Sequence, residues 1–192
     1  MKHSALRSYE AILTKWDSSV RLIGRTLRDG LDDEVLNDSR LLAAHLSSVD
    51  RFVDIGSGNG LPAIPALILA DGSPATATLV EADQRKAAFL RAARRETGLT
   101  YEVLPSRIEE TPYLGATLIS AKAFAPLPRL LELVVPHLAP GGRILAFKGR
   151  QAEVEIADAA RTWDFELERE GRNAQTGAVL LVIRNPQRRN TA

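Results

Sequence analysis

The sequence predicts an α/β domain: a doubly wound, mostly parallel sheet closed by a C-terminal antiparallel hairpin and preceded by a helical cap. Three observations lead there. From residue 51 onwards, short apolar runs alternate with stretches of helical spacing, the rhythm of successive βαβ units. The first run, Arg51-Phe-Val-Asp-Ile, stops abruptly at Gly56-Ser-Gly-Asn-Gly, a glycine-rich turn placed between a strand and a helix. Before it, residues 1–48 show only helical periodicity.

The elements follow in chain order. Leu6, Tyr9, Ile12, Leu13, Trp16 and Val20 recur at three- and four-residue steps and form one apolar stripe of a helix. Asp32 or Asp33 caps a second helix whose inner face holds Val35, Leu42 and Leu46. These helices are read either as a cover on the core or as a substrate-facing lid. Phe52, Val53 and Ile55 suit a buried parallel strand, and Leu61-Pro-Ala-Ile-Pro opens a helix, since proline is tolerated in a first turn. Ala77–Ala82 reads as the second strand and Gln84–Thr97 as a helix ended by Gly98. Tyr101–Pro105 and Ala116–Ala123 are the third and fourth strands, and Leu127–Leu138 is a helix followed by the turn Ala139-Pro-Gly-Gly. Arg143–Gly149 makes a fifth strand ending in Lys148, and a helix follows near Ala152–Thr162. Phe165–Glu168 and Ala178–Arg184 are expected to pair antiparallel across the polar stretch Gly171–Gly177. The reading divides the chain into a cap (1–48), a catalytic domain (49–186) and a disordered tail (187–192).

Composition narrows the function classes. The chain has 192 residues, 25 basic and 24 acidic, so no bulk basic field exists and any nucleic-acid contact rests on a local patch. Cysteine is absent, which excludes disulfides and thiolate chemistry, and the only histidines, His3, His45 and His137, are too far apart in sequence to suggest a metal site. The longest apolar run, Leu61–Ala70, has ten residues and two prolines, too few to span a membrane. Met1-Lys-His-Ser-Ala-Leu-Arg lacks a signal-peptide core, so a cytoplasmic, monomeric protein is expected.

The glycine loop points to a nucleotide-like ligand. Gly56, Gly58 and Gly60 let backbone approach a ligand closely, and Asp54 and Ser57 fall in the same turn. Leu61 stands where a dinucleotide fingerprint has its third glycine, which points away from a pyrophosphate and towards S-adenosyl-L-methionine. Glu81, 23 residues past Gly58 at the end of the second strand, suits both hydroxyls of a ribose; Asp83, two residues on, is the alternative or else a helix cap. Downstream, Ile108 offers an apolar contact to an adenine and Glu109 an acceptor, unless Ser106-Arg-Ile-Glu-Glu is an ordinary capped loop. Lys122 is the only charge in the fourth strand and is read either as a surface lysine or as a site residue. The helix bearing Arg85, Lys86, Arg91, Arg94 and Arg95 is either a solvated face or an RNA phosphate contact through Arg91 and Arg95, with Lys148 as a further candidate.

The acceptor is constrained by what is missing. Attack through pyrimidine C5 needs a cysteine nucleophile, and exocyclic-amine methylation usually places Asn or Asp, two prolines and an aromatic after the fourth strand. This chain has no cysteine and reads Ser120-Ala-Lys-Ala-Phe-Ala-Pro there. A ring nitrogen with a free lone pair, such as guanine N7, needs no base. Small-molecule acceptors fit equally.

Several of these stretches together resemble the bacterial small-subunit (16S) ribosomal RNA methyltransferase G family, also called the glucose-inhibited division protein B family. They are Val53-Asp-Ile-Gly-Ser-Gly-Asn-Gly-Leu-Pro-Ala-Ile-Pro, Leu79-Val-Glu-Ala-Asp-Gln-Arg-Lys-Ala-Ala-Phe-Leu-Arg, Ser106-Arg-Ile-Glu-Glu, Ser120-Ala-Lys-Ala-Phe-Ala-Pro-Leu and Phe147-Lys-Gly. The resemblance implies a class I, Rossmann-like methyltransferase fold and S-adenosylmethionine-dependent methylation of guanine N7 in small-subunit rRNA. It places the cofactor against Gly56, Leu61, Ile108 and Glu109 and a basic residue, catalytic or cofactor-binding, at Lys122. The partner implied is small-subunit rRNA or the assembling small subunit. Departures are Lys122 where arginine is usual, Ala63 where glycine is usual, and Trp16-Asp17, Arg21-Leu22-Ile23 and Glu34-Val35-Leu36-Asn37-Asp38-Ser39 where the family usually has Trp-Asn, Asn-Leu-Thr and Arg-His-Ile-x-Asp-Ser. A retargeted methyltransferase, or a cofactor-binding protein without catalysis, is the alternative.

Overall fold

The computed structural model describes residues 2–20, 22, 31, 33–171 and 177–189. Seven strands form one sheet in the order β3-β2-β1-β4-β5-β7-β6. They are β1 (Arg51–Ile55), β2 (Thr76–Val80), β3 (Glu102–Leu104), β4 (Ala116–Lys122), β5 (Leu138–Lys148), β6 (Trp163–Glu170) and β7 (Val179–Arg188). Neighbours pair in parallel from β3 through β5, and β7 runs antiparallel to both β5 and β6. Strand order reverses between β1 and β4, the switch point at which open α/β sheets bind ligands.

Strand alternation sorts the core into two layers. Phe52, Leu118, Leu145, Phe147, Leu180 and Val182 face one side of the sheet. Val53, Ile55, Ile119, Ala121, Ile144 and Leu181 face the other. The first layer is covered by α1 (Lys2–Val20), α2 (Asp33–Ala44), α3 (Ala63–Leu69) and α4 (Gln84–Thr97). The second is covered by α5 (Leu127–Val134) and α6 (Ala152–Ala159). The cap is therefore not a separate body. Tyr9, Ile12, Leu13, Leu42 and Leu46 are buried in the same cluster as Phe52 and Phe89, and Trp16 meets Phe89 edge-on with ring centroids 5.9 Å apart.

Several boundaries differ from the sequence reading for local reasons. α3 starts at Ala63 rather than Leu61, because the glycine turn extends through Leu61-Pro62. β5 starts at Leu138, so the expected Ala139-Pro-Gly-Gly turn lies inside the strand. There the register to β4 jumps from Ala116↔Leu138 to Leu118↔Arg143, a bulge that absorbs the breaker residues. A single 3-10 turn, Val135–His137, finishes the helix expected to run to Leu138. β7 continues through Arg188, with Gln187 opposite Asp164 and Arg188 opposite Trp163, so the first residues assigned to the tail belong to the sheet. Residues 190–192, residues 172–176 of the hairpin connection, Asp32 and the Val35 side chain lie outside the described residues. α4 is capped at both ends as its sequence suggests: Asp83 accepts from Arg85 N and Lys86 N, and Gly98 ends the helix at φ +71°.

Candidate active site

The glycine loop is held from two directions. Gly56 N and Ser57 N both donate to Val80 O, at 2.9 and 3.1 Å, which ties the loop to the end of β2. The Glu81 carboxylate then bridges two segments: Oε2 accepts from Gly58 N at 2.7 Å and Oε1 from Asp83 N at 2.8 Å. Glu81 is buried, yet each oxygen retains a lone pair for a further donor. Asp83, with its side chain spent on capping α4, has its pKa lowered first by the Arg85 backbone N–H and then by that of Lys86.

A cavity of about 440 Å³ opens beside this loop at the carboxyl ends of β1, β2 and β4, lined among others by Gly56, Glu81, Ile108, Glu109, Phe124 and Arg129. Gly56 sits at φ +65°, and a Cβ there would lie 2.5 Å from Phe124 Cδ2. Only glycine satisfies both the left-handed backbone and the ring packed against it. Ile108 and Glu109 reach the cavity from a single 3-10 turn, Ile108–Glu110, with Ile108 buried and Glu109 exposed.

The other loop residues act behind the cavity wall. Asp54 is 2% exposed, and its Oδ1 accepts from Ser120 Oγ, its register partner on β4. Burial pushes the Asp54 pKa up to about 6, against the lowering effect of hydrogen bonds from Ser120 and Ser57. Gly60, at φ +86°, packs on Ile64, and Leu61 packs partly buried against the cap-side core. The loop also touches the cap directly: Tyr9 of α1 donates its hydroxyl to Asn59 O at 2.6 Å, and Asn59 Nδ2 donates to Leu22 O at 3.0 Å. Sequence reading passes over both residues, since a tyrosine on an apolar stripe looks like core.

The lysine and arginine candidates fall in different settings. Lys122 shares a face of β4 with Leu118 and Ser120, so its side chain points to the cap side and away from the 440 Å³ cavity. Its Nζ donates to Asp38 Oδ2 of α2 at 2.6 Å. Lys148, read from sequence as an RNA contact, is turned inward with a side chain only 8% exposed. It pairs with Glu155 at 2.8 Å and donates to Ala125 O, and Glu155 also accepts from Leu127 N. These bonds fix the connection between β4 and α5 rather than present a charge to solvent. Arg95 is exposed and Arg91 half-buried on α4, while Arg94 is engaged with Tyr101 O.

A second, smaller cavity of about 210 Å³ lies on the other side of the β4–α5 connection, lined by Asp38, Lys122, Phe147, Gly149 and Val179 among others. Ala123 lines both cavities and takes the left-handed conformation at φ +51°. Asp38 is the residue that sequence reasoning missed here, since its segment reads only as a departure from the family pattern. Among the described residues no group of three or more His, Asp or Glu is placed to hold a metal ion, and no helix is long and apolar enough to cross a membrane.

The sheet order, the glycine loop and an acidic residue ending β2 define a class I, S-adenosylmethionine-dependent methyltransferase. Solved structures of that fold superpose on the chain. The N-methyltransferase NodS from Bradyrhizobium japonicum, in complex with S-adenosyl-L-homocysteine, matches with a TM-score of 0.60 and 18% identity over 96% of this chain and 100% of its own. A ribosomal protein L11 methylase from Lactobacillus delbrueckii matches with a TM-score of 0.61 and 14% identity, covering 79% of this chain and 78% of its own. Within that class, residues 2–177 match the family described as rRNA small subunit methyltransferase G, GidB. The ribosomal RNA small subunit methyltransferase G of Cereibacter sphaeroides is 43% identical over 93% of this chain and 88% of its own length. That of Paramagnetospirillum magneticum is 38% identical over 95% and 88%. The chain belongs to this family.

Proposed function

We propose that the protein transfers the methyl group of S-adenosylmethionine to N7 of a guanine in small-subunit ribosomal RNA, free or in the assembling subunit. The observation that supports this best is a pair of cavities sharing Ala123 at the switch point of the sheet, in a chain of this family. The first cavity fits the cofactor. Glu81 supplies lone pairs for ribose hydroxyls, Ile108 an apolar surface for adenine and Glu109 an acceptor at the rim, while Gly56 leaves room where a Cβ would intrude. When bound, the cofactor supplies an electrophilic methyl group on a sulfonium.

The chain's own part is to bind, align and exclude water. With the cofactor held by Gly56, Glu81, Ile108 and Glu109, the guanine N7 lone pair would take that methyl group in line and the C–S bonding pair would stay on sulfur. No proton leaves N7, so neither a cysteine nucleophile nor a histidine base is required, in keeping with a chain that has no cysteine. Holding the two reactants in line is worth roughly 7–11 kcal/mol. Arg91 and Arg95 of α4 are proposed to meet RNA phosphates, and Lys148 to hold the wall between the cavities.

The test is transfer of labelled methyl from S-adenosylmethionine to small subunits purified from a strain lacking the native modification, with the product mapped by mass spectrometry. A single N7-methylguanosine in the small-subunit rRNA is expected. Folded protein that binds the cofactor but labels no guanine would overturn the proposal in favour of a retargeted acceptor.

A further inference from the structure

The Asp38–Lys122 pair stands at a place where an ion pair has a second use. Both residues line the smaller cavity, whose remaining wall comes from the ends of β4 and β5 and the start of β7. In a sheet of this topology those strand ends face the reacting centre. The cavity is separated from the cofactor cavity only by the connection around Ala123, and that connection is pinned by Lys148 and Glu155 through Ala125 O and Leu127 N. An acceptor must lie next to the methyl group it receives, and this cavity adjoins the proposed cofactor cavity at Ala123.

The pair also has a polarity. Lys122 presents an ammonium donor and Asp38, 2.6 Å away, a carboxylate acceptor. Guanine carries the complementary order on one edge: O6 accepts beside N1–H, which donates. Adenine and cytosine carry the reverse order, an amine beside an unprotonated ring nitrogen, and would set donor against donor and acceptor against acceptor. The second carboxylate oxygen of Asp38 can take the guanine N2 amine. Gripped in this way, guanine keeps N7 free, because O6 lies between N1 and N7 on the purine. Phe147, directly opposite Lys122 in the β4–β5 register, supplies an apolar wall.

We infer that Asp38 is a specificity-determining residue which, together with Lys122, reads the O6/N1–H edge of the acceptor guanine. This rests on the guanine acceptor of the proposed function. It makes α2 of the cap part of the acceptor site, and it differs from a purely structural ion pair that ties α2 to β4.

Three proteins separate these roles: wild type, Asp38→Asn, and the charge-exchanged double variant Asp38→Lys/Lys122→Asp. Cofactor affinity by calorimetry and the urea midpoint report on the fold. Single-turnover transfer to unmodified small subunits reports on the acceptor. Ligand-observed NMR of the cofactor-bound protein with GMP, IMP and AMP reports on base choice. Asp38→Asn should slow transfer by about 30-fold or more while leaving cofactor affinity within about twofold. It should also erase a preference of wild type for GMP over AMP, with IMP, which shares the O6/N1–H edge, siding with GMP. The exchanged pair should recover the midpoint lost by Asp38→Asn without recovering transfer. Transfer restored together with stability, or transfer by Asp38→Asn within about threefold of wild type, would overturn the inference in favour of the structural role. If wild type transfers nothing to subunits yet shows a GMP preference that Asp38→Asn abolishes, the rRNA reading falls and the base-reading role stands. Absence of a GMP preference together with absence of transfer overturns both.

Discussion

The two halves of the site are built from different materials. On the cofactor side, backbone supplies most of the surface: a glycine loop anchored to Val80 O, amides of Gly58 and Asp83 gathered on Glu81, and a left-handed Gly56 under Phe124. These parts lie within a few residues of one another on adjacent strands. On the acceptor side, paired charges supply the fixed points: Asp38 with Lys122, 84 residues apart, and Lys148 with Glu155 of the next helix, Lys148 also reaching back to Ala125 O. A surface made of backbone constrains residue type at each position, whereas a surface made of paired charges can exchange members and change what it accepts. This difference accounts for a chain that keeps the cofactor motif while carrying lysine at position 122.

The largest expected effect comes from breaking the backbone-built half. Gly56→Val puts a β-branched side chain at φ +65° and drives it into Phe124. Cofactor binding should weaken by about 100-fold or more, read by calorimetry, with the far-ultraviolet circular dichroism preserved. Near-native affinity would show that the loop tolerates a Cβ and that backbone is not what sets the cofactor half apart.

A smaller effect sharpens the same half from beneath. The folded-state pKa of Asp54, about 6, lies above its ordinary value of 3.8, so the folded protein holds this proton more tightly than the unfolded chain. The stability tied to it is fully present below the unfolded pKa and is lost as pH rises through about 6. Asp54→Asn removes that dependence. The stability difference between variant and wild type should therefore shift in the variant's favour by about 2 kcal/mol between pH 4.5 and pH 7.5, measured by urea unfolding. A constant difference across that range would mean that Asp54 is ionised throughout.

The smallest effect probes the charge-built half at its periphery. Replacing Arg91 and Arg95 together with glutamine should flatten the dependence of RNA affinity on salt by about 0.7–0.9 logarithmic unit for each phosphate no longer neutralised. An unchanged slope from filter-binding titrations would return α4 to the status of a solvated helix face.

The same contrast explains what is legible in the sequence. β1, β2, α4 and the glycine loop are readable because their determinants are local: an apolar run, a capping Asp83, a terminating Gly98. Glu81 is found at the right strand end, although nothing in the sequence records that Gly58 and Asp83 already donate to it. Asp38 is not legible as a partner of Lys122, since the spacing of 38 and 122 does not encode that α2 lies over the end of β4. Lys148 reads as exposed for a related reason: a lysine ending a strand is usually solvated, and Glu155 comes from a helix packed beneath it. The turn expected at Ala139-Pro-Gly-Gly does not form because neighbouring β4 keeps pairing across it and takes up the extra residues as a bulge.

The contacts of Asn59 with Tyr9 and Leu22 make the N-terminal segment and the glycine loop one cooperative unit. By thermodynamic reciprocity, whatever factor a docked α1 adds to the affinity of a ligand at the loop, the ligand adds to the docking of α1. The segment that looks like an appendage in the sequence is tied by hydrogen bonds to the loop that borders the larger cavity. A circularly permuted or N-terminally shortened form would start from a loosened site, whatever the state of the seven-stranded sheet.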